Sequence, residues 1–151
     1  MTYTKDSYKG RFVPKNPEIY IGNSGNIIYR SSYEAQFMKW CDVNNSILHW
    51  ASEEIVVPYV SPVDGHIHRY FVDFFIEVKT TENKIKKYLI EVKPYKYTLP
   101  PEIPKRKTRG FISEVKQWGV NTAKWEAARK FAATQNWEFM IITERDLGRY
   151  K

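Results

Sequence analysis

The chain has 151 residues, 42% of them hydrophobic and 16% aromatic, and its 24 Lys and Arg outnumber its 17 Asp and Glu for a formal net charge of +7. That length argues for one domain able to bury roughly 70% of the surface its unfolded form exposes. No run of about 18 apolar residues occurs, and the opening MTYTKDSYKG lacks an apolar h-region, so neither a transmembrane helix nor a signal peptide is expected.

The excess charge is concentrated. Residues 1–30 hold five basic and two acidic residues, residues 94–110 hold five basic and one acidic, and the rest of the chain balances at 14 of each sign. A phosphate-tracking surface concentrates charge in this way. The alternative is a solubilising tail plus a basic linker.

In chain order, residues 1–30 are rich in turn formers and aromatics and read as a basic arm, with a short strand at 27–29. The remainder, 31–151, reads as a single domain. Ser31 is a good N-cap, and Tyr33, Phe37, Trp40 and Cys41 recur at helical spacing to about Asn44. Cys41, the only cysteine, excludes an internal disulfide, fits a reducing compartment and reads as a small buried residue. EEIVVPYV is a first strand whose Pro58 favours an edge, SPVDG is a turn, and HIHRYFVDFFIEVK is a long second strand. After the turn TTENK, IKKYLIEVK is a third strand, so residues 55–93 are expected to form an antiparallel meander. Four prolines make 94–110 an irregular basic loop. Phe111, Ile112, Val115 and Trp118 mark a helix that Gly119 breaks or bends, and Asn121 is expected to cap a second helix reaching about Thr134. WEFMIIT, almost wholly apolar, is read as a central strand parallel to its neighbour. The fold class is α/β, a mixed sheet flanked by helices.

Chemistry concentrates on the second and third strands. Side chains alternate faces along a strand, so Glu91 and Lys93 of YLIEVKP point the same way. Taken alone, this is a surface ion pair worth about 0–1 kcal/mol. On the second strand Val72, Phe74, Ile76 and Val78 face opposite Phe71, Asp73, Phe75 and Glu77, which places Asp73 between two aromatics and roughly beside Glu91. Two carboxylates across neighbouring strands repel, which raises a pKa or recruits a cation. One lysine does not neutralise two acids, whereas a divalent metal does. Glu34 has two readings: S-x-x-E is a capping box with the Ser31 backbone N–H, yet Glu34 also borders the apolar stripe of its helix and can point toward the sheet. His66 and His68 read as surface hairpin residues and His49 stands alone, because a zinc site needs three or four ligands.

The segments GRFVPKNPEIYIG, IIYRSSYE, YFVDFFIEV, YLIEVKP and KWEAARKFAATQNWEFMIITERDL, in that order, resemble the T-even phage head completion nucleases. Those belong to the PD-(D/E)xK, or restriction-endonuclease-like, superfamily and are related to the endonuclease subunit of heteromeric transposases. The resemblance runs from about residue 10 to the C-terminus. It implies Glu34, Asp73 and Glu91 as ligands of Mg²⁺, with Mn²⁺ as a substitute, and Lys93 as the catalytic lysine. The superfamily's proline before the aspartate is Val72 here. The expected function is a Mg²⁺-dependent DNA endonuclease acting in head completion. Double-stranded DNA would lie along Arg11, Lys15, Arg30, Lys96, Lys105, Arg106, Lys107 and Arg109. The expected partners are phage head, portal or neck proteins, in the host cytoplasm during assembly or in the virion head. The rival is a non-catalytic neck protein that caps packaged DNA. A transposase subunit is disfavoured, since 151 residues leave no room for an added partner-binding domain.

Overall fold

A computed structural model describes residues 9–149. The part of the expected arm before Lys9 lies outside the described residues. Two short strands, β1 (Gly10–Phe12) and β2 (Ile27–Tyr29), form a small antiparallel sheet. Helix α1 (Ser32–Val43) follows, then β3 (Ile47–Ser52), β4 (Val56–Val60), β5 (Ile67–Phe71), β6 (Phe74–Lys79) and β7 (Ile85–Val92). Helix α2 (Arg109–Thr134) crosses over to β8 (Glu138–Ile142). The central sheet runs β3-β6-β7-β8, with the β3–β6 and β6–β7 pairs antiparallel and β8 parallel to β7. Among the described residues, strands β4 and β5 pair only with each other. The fold is the mixed α/β sheet expected of a restriction-endonuclease-like protein.

The core lies in two layers, one on each face of the sheet. Phe37, Met38 and Cys41 of α1 pack with Trp50, Phe74, Ile76 and Ile90, and the β1–β2 region closes over them through Ile27 and Tyr20. On the other face Trp125, Ala128 and Ala132 of α2 pack with Phe75 and Leu89 and with the inner residues of the hairpin, Val57, Tyr59 and Tyr70. Phe37 and Phe74 pack with their rings tilted by 48° and centroids 4.9 Å apart, and both are essentially fully buried. Truncating either would cost about 3–5 kcal/mol. Buried Asp42 fixes the N-terminal region to α1: its carboxylate accepts the Lys15 and Asn16 N–H groups at 2.7 and 3.0 Å.

Four expectations about the elements are corrected. The long second strand is two strands that break at Val72–Asp73 and change partners there, so 55–93 is a separate hairpin followed by sheet strands rather than one meander. The β6–β7 ladder stops at Phe74↔Ile90. Just before it, the Val72 N–H donates to the Ile55 carbonyl at 3.0 Å, a bond that a proline at this position could not make. The break also puts Val72 in the layer under α2 with Phe75, not on the face of Phe74. Second, ILHWAS forms β3, a strand unforeseen in the sequence, buried around Trp50.

Third, α2 is one 26-residue helix, and neither Gly119 nor Asn121 interrupts it. A helical glycine costs about 1 kcal/mol relative to alanine. Here Gly119 lies against the hairpin turn, where an added Cβ would already touch Pro62 at 3.4 Å. Asn121, mid-helix and buried, accepts from Gln117 Nε2 at 2.9 Å. Fourth, β8 is an edge strand; β6 and β7 are the central ones. Its apolar run serves both layers, Phe139 and Ile141 under α2 and Ile142 on the α1 side, while Met140 remains exposed.

Candidate active site

The break between β5 and β6 builds the site. Where the ladder ends, the next N–H of β7, that of Val92, donates to Asp73 Oδ2 at 2.8 Å. A carboxylate thus takes the place of a strand carbonyl, and Asp73 is held beside the end of β7. Glu91, buried at 5% exposure, is engaged through both oxygens. Oε1 accepts the Tyr70 hydroxyl at 2.5 Å, and Oε2 lies 3.3 Å from Lys93 Nζ. Asp73, Glu91 and Lys93 are therefore brought together, as the strand alternation anticipated.

The acids feel each other. Burial raises the Asp73 carboxyl well above the usual carboxylate range, the charges of Glu91 and then Glu34 raise it further, and the Val92 N–H and Lys93 pull it back. Glu34 is pushed up to about 7, chiefly by burial and then by Glu53 and Glu91, against the Arg30 N–H and guanidinium. Its two readings coexist. Ser31 Oγ caps α1 by accepting the Glu34 N–H at 3.1 Å, and Glu34 Oε1 reaches back to a backbone N–H at 3.4 Å. That N–H belongs to Arg30 rather than to Ser31, and the carboxylate is still close enough for Asp73 to register its charge.

Among the described residues no three His, Cys, Asp or Glu side chains form a group that could cage a metal ion. The pair Asp73–Glu91 nonetheless fits Mg²⁺ by donor type. The ion prefers hard carboxylate oxygens, keeps several waters and is commonly held by one or two carboxylates together with substrate phosphates. After burial, the charges of Glu91 and Glu34 raise Asp73 further, an effect that a bound cation would oppose as Lys93 already does.

The cations assigned to DNA are all exposed. Arg11 lies on β1 opposite Ile28, and Lys15 follows β1, its backbone pinned to Asp42. Lys96 sits on a short 3₁₀ turn (Tyr95–Thr98) with Nζ over Tyr97, and Lys105, Arg106 and Lys107 precede Arg109, the first residue of α2. Arg30 is engaged with Glu53 at 3.1 and 3.3 Å. Glu53 adopts φ +56° and donates its own N–H to the Asp73 carbonyl at 3.1 Å, so this ion pair abuts the acid pair. His68 and Asp64 pair at 2.8 Å on the hairpin turn, and His49 pairs with Glu77 at 2.9 Å on the surface.

Two contributors escaped the sequence reading. Tyr70 carried only a strand signal, and its role depends on β5 folding over β7. The C-terminal loop is the other. The Glu144 carboxylate accepts the Tyr95 N–H at 2.6 Å, the Arg145 guanidinium stacks 3.4 Å from the centre of the Tyr95 ring, and Thr143 and Asp146 bond to each other across the turn. These contacts fix the chain two residues beyond Lys93. A cavity of about 770 Å³ between residues 96–104 and the first half of α2 includes none of Glu34, Asp73, Glu91 or Lys93.

The TnsA-like endonuclease N-terminal family matches residues 44–144, and the chain belongs to that family. It is 38% identical over 145 residues to the head completion nuclease of Enterobacteria phage T4, an alignment covering 93% of this chain and 94% of that protein. The matched family region contains Asp73, Glu91 and Lys93 and ends in the loop that holds Tyr95; Glu34 precedes it.

The pKa of Glu34 makes a prediction about the metal-free protein. Between the ordinary value of 4.5 and about 7 the folded state binds a proton that the unfolded state has released. Stability should therefore fall as pH rises through that window, and Asp73, shifted the same way, steepens the fall. Glu34→Gln should flatten the decline in melting temperature between pH 4.5 and 7. An identical slope in the variant would show that Glu34 is not held protonated.

Proposed function

We propose that this protein is a Mg²⁺-dependent DNA endonuclease that acts in phage head completion and processes the ends of the packaged genome. The observation carrying this reading is the juxtaposition of Glu91 with Asp73, whose carboxyl is held well above the usual range by burial and then by the Glu91 charge, and with Lys93, whose Nζ lies 3.3 Å from Glu91. Membership in an endonuclease family and the name of the T4 relative support it. Asp73 and Glu91 would hold the cation, with Mn²⁺ able to replace Mg²⁺, and Glu34 would add charge behind them. When bound, the cation supplies Lewis-acid charge at the scissile phosphate and eases ionisation of the attacking water.

The remaining roles fall to the chain's own groups. Lys93 donates hydrogen bonds through Nζ, orienting the water and opposing the charge that develops on the phosphate as the new P–O bond forms and the P–O bond to the leaving sugar oxygen breaks. Val92 N–H keeps Asp73 turned toward the end of β7. Arg11, Lys15, Arg30, Lys96, Lys105, Arg106, Lys107 and Arg109 would follow the backbone of double-stranded DNA. Head, portal or neck proteins would bring the enzyme to its substrate, in the host cytoplasm during assembly or within the virion head.

Nicking of supercoiled plasmid tests the chemistry. Wild type should cleave with Mg²⁺ or Mn²⁺, and Asp73→Ala, Glu91→Ala and Lys93→Ala should each reduce cleavage at least about 100-fold. Without metal, either acid variant should remain folded, the loss of an acceptor for a buried donor costing about 1–3 kcal/mol. Lys93→Ala should still bind metal. No metal-dependent cleavage by wild type of any DNA form, branched and flapped substrates included, would overturn the reading in favour of a neck protein that caps packaged DNA.

A salt titration tests the DNA path. If about four to six cations meet phosphates, log K should fall against log[salt] with a slope of roughly −4 to −5. Neutralising Lys105, Arg106 and Lys107 together should reduce that slope by about two to three, and an unchanged slope would make the segment a solvated linker.

A further inference from the structure

The β4–β5 hairpin stands outside the four-stranded sheet, yet one of its side chains enters the site. Tyr70, 4% exposed, lies under α2 with the Lys124 ammonium 5.5 Å above its ring, and its hydroxyl donates to Glu91 Oε1. The packing that holds the ring, with Val57, Tyr59 and Trp125 in the same layer, leaves the hydroxyl at the end of β7. Lys93 occupies the other oxygen of the same carboxylate. Glu91 is thereby oriented from two sides, by a neutral donor from a rigid layer and by a cation from its own strand.

We propose that Tyr70 is a positioning residue: by occupying Oε1 it fixes the rotation of the Glu91 carboxylate and leaves Oε2 as the oxygen shared with Lys93 and offered to a cation. The consequence for the cation rests on the endonuclease reading; the hold on Glu91 does not. Without the hydroxyl, a buried carboxylate oxygen has no donor, and Glu91 must turn to regain one. Groups that hydrogen-bond a ligating carboxylate from outside typically change metal affinity or activity about 10- to 100-fold when removed.

Tyr70→Phe keeps the ring, its packing and the Lys124 contact while deleting the O–H. Three measurements on the full chain decide the matter. Calorimetric titration with Mn²⁺ in the absence of DNA should give an affinity about 10- to 100-fold weaker than wild type, with a melting temperature within a few degrees. In the plasmid assay kcat should fall while KM for DNA stays unchanged, a split that general loosening of the fold would not produce. In the metal-free protein, the ¹³C resonance of the Glu91 carboxyl should move in the variant. Wild-type Mn²⁺ affinity retained in Tyr70→Phe would overturn the proposal, and so would an unmoved Glu91 resonance. Should wild type bind no Mn²⁺ while the resonance moves, the endonuclease reading falls and the positioning of Glu91 by Tyr70 stands.

Discussion

Two carboxyl groups are held side by side where β6 and β7 part: Asp73 at the foot of one strand and Glu91 near the end of the other. Burial, and after it the charge of Glu91, raises the cost of ionising Asp73. The protein builds around the pair, with a backbone N–H for Asp73, a tyrosine hydroxyl and an ammonium for Glu91, and a Glu34 carboxylate, raised to about 7 chiefly by its own burial, whose charge reaches Asp73. The ammonium opposes these charges at Asp73, and a divalent cation would oppose them further.

The rest of the fold follows from keeping the two acids in place. The ladder between β6 and β7 must end where it does, because one more pair would replace the Asp73 carboxylate with a backbone carbonyl. Val72 therefore leaves the sheet, bonds to Ile55 and carries the chain into the hairpin, which returns Tyr70 to Glu91. Helix α2 clamps the hairpin and the sheet in one apolar layer. Beyond Lys93 the C-terminal loop grips Tyr95 through Glu144 and Arg145, so the chain that leaves the lysine is held in place. The membership of residues 44–144 in an endonuclease family accords with a framework whose strands serve one site.

The parts legible in the sequence were those whose cause is local. Ser31 caps α1 through its own hydroxyl, three residues from the N–H it accepts. Glu91 and Lys93 share a face because strand side chains alternate, and the apolar WEFMIIT pairs in parallel because a helix separates it from β7. What the sequence hid depends on distant partners. HIHRYFVDFFIEVK reads as one strand throughout, since nothing within it records that β5 pairs with β4 while β6 pairs with β3 and β7. Trp50 looks like an isolated aromatic until Tyr20 and Phe74 enclose it. Gly119 is a helix breaker by propensity, and its fit against Pro62 belongs to the tertiary structure. Tyr70 becomes part of the site only after the strand has broken.

In the proposed reading, Asp73 and Glu91 together hold a divalent cation. This is tested most directly by crystals soaked in Mn²⁺ and measured at the manganese absorption edge. An anomalous peak within about 2.0–2.4 Å of an oxygen of each of these two carboxylates is the expected result. Crystals that take up Mn²⁺ elsewhere, or nowhere, with the acid pair unchanged, would contradict it.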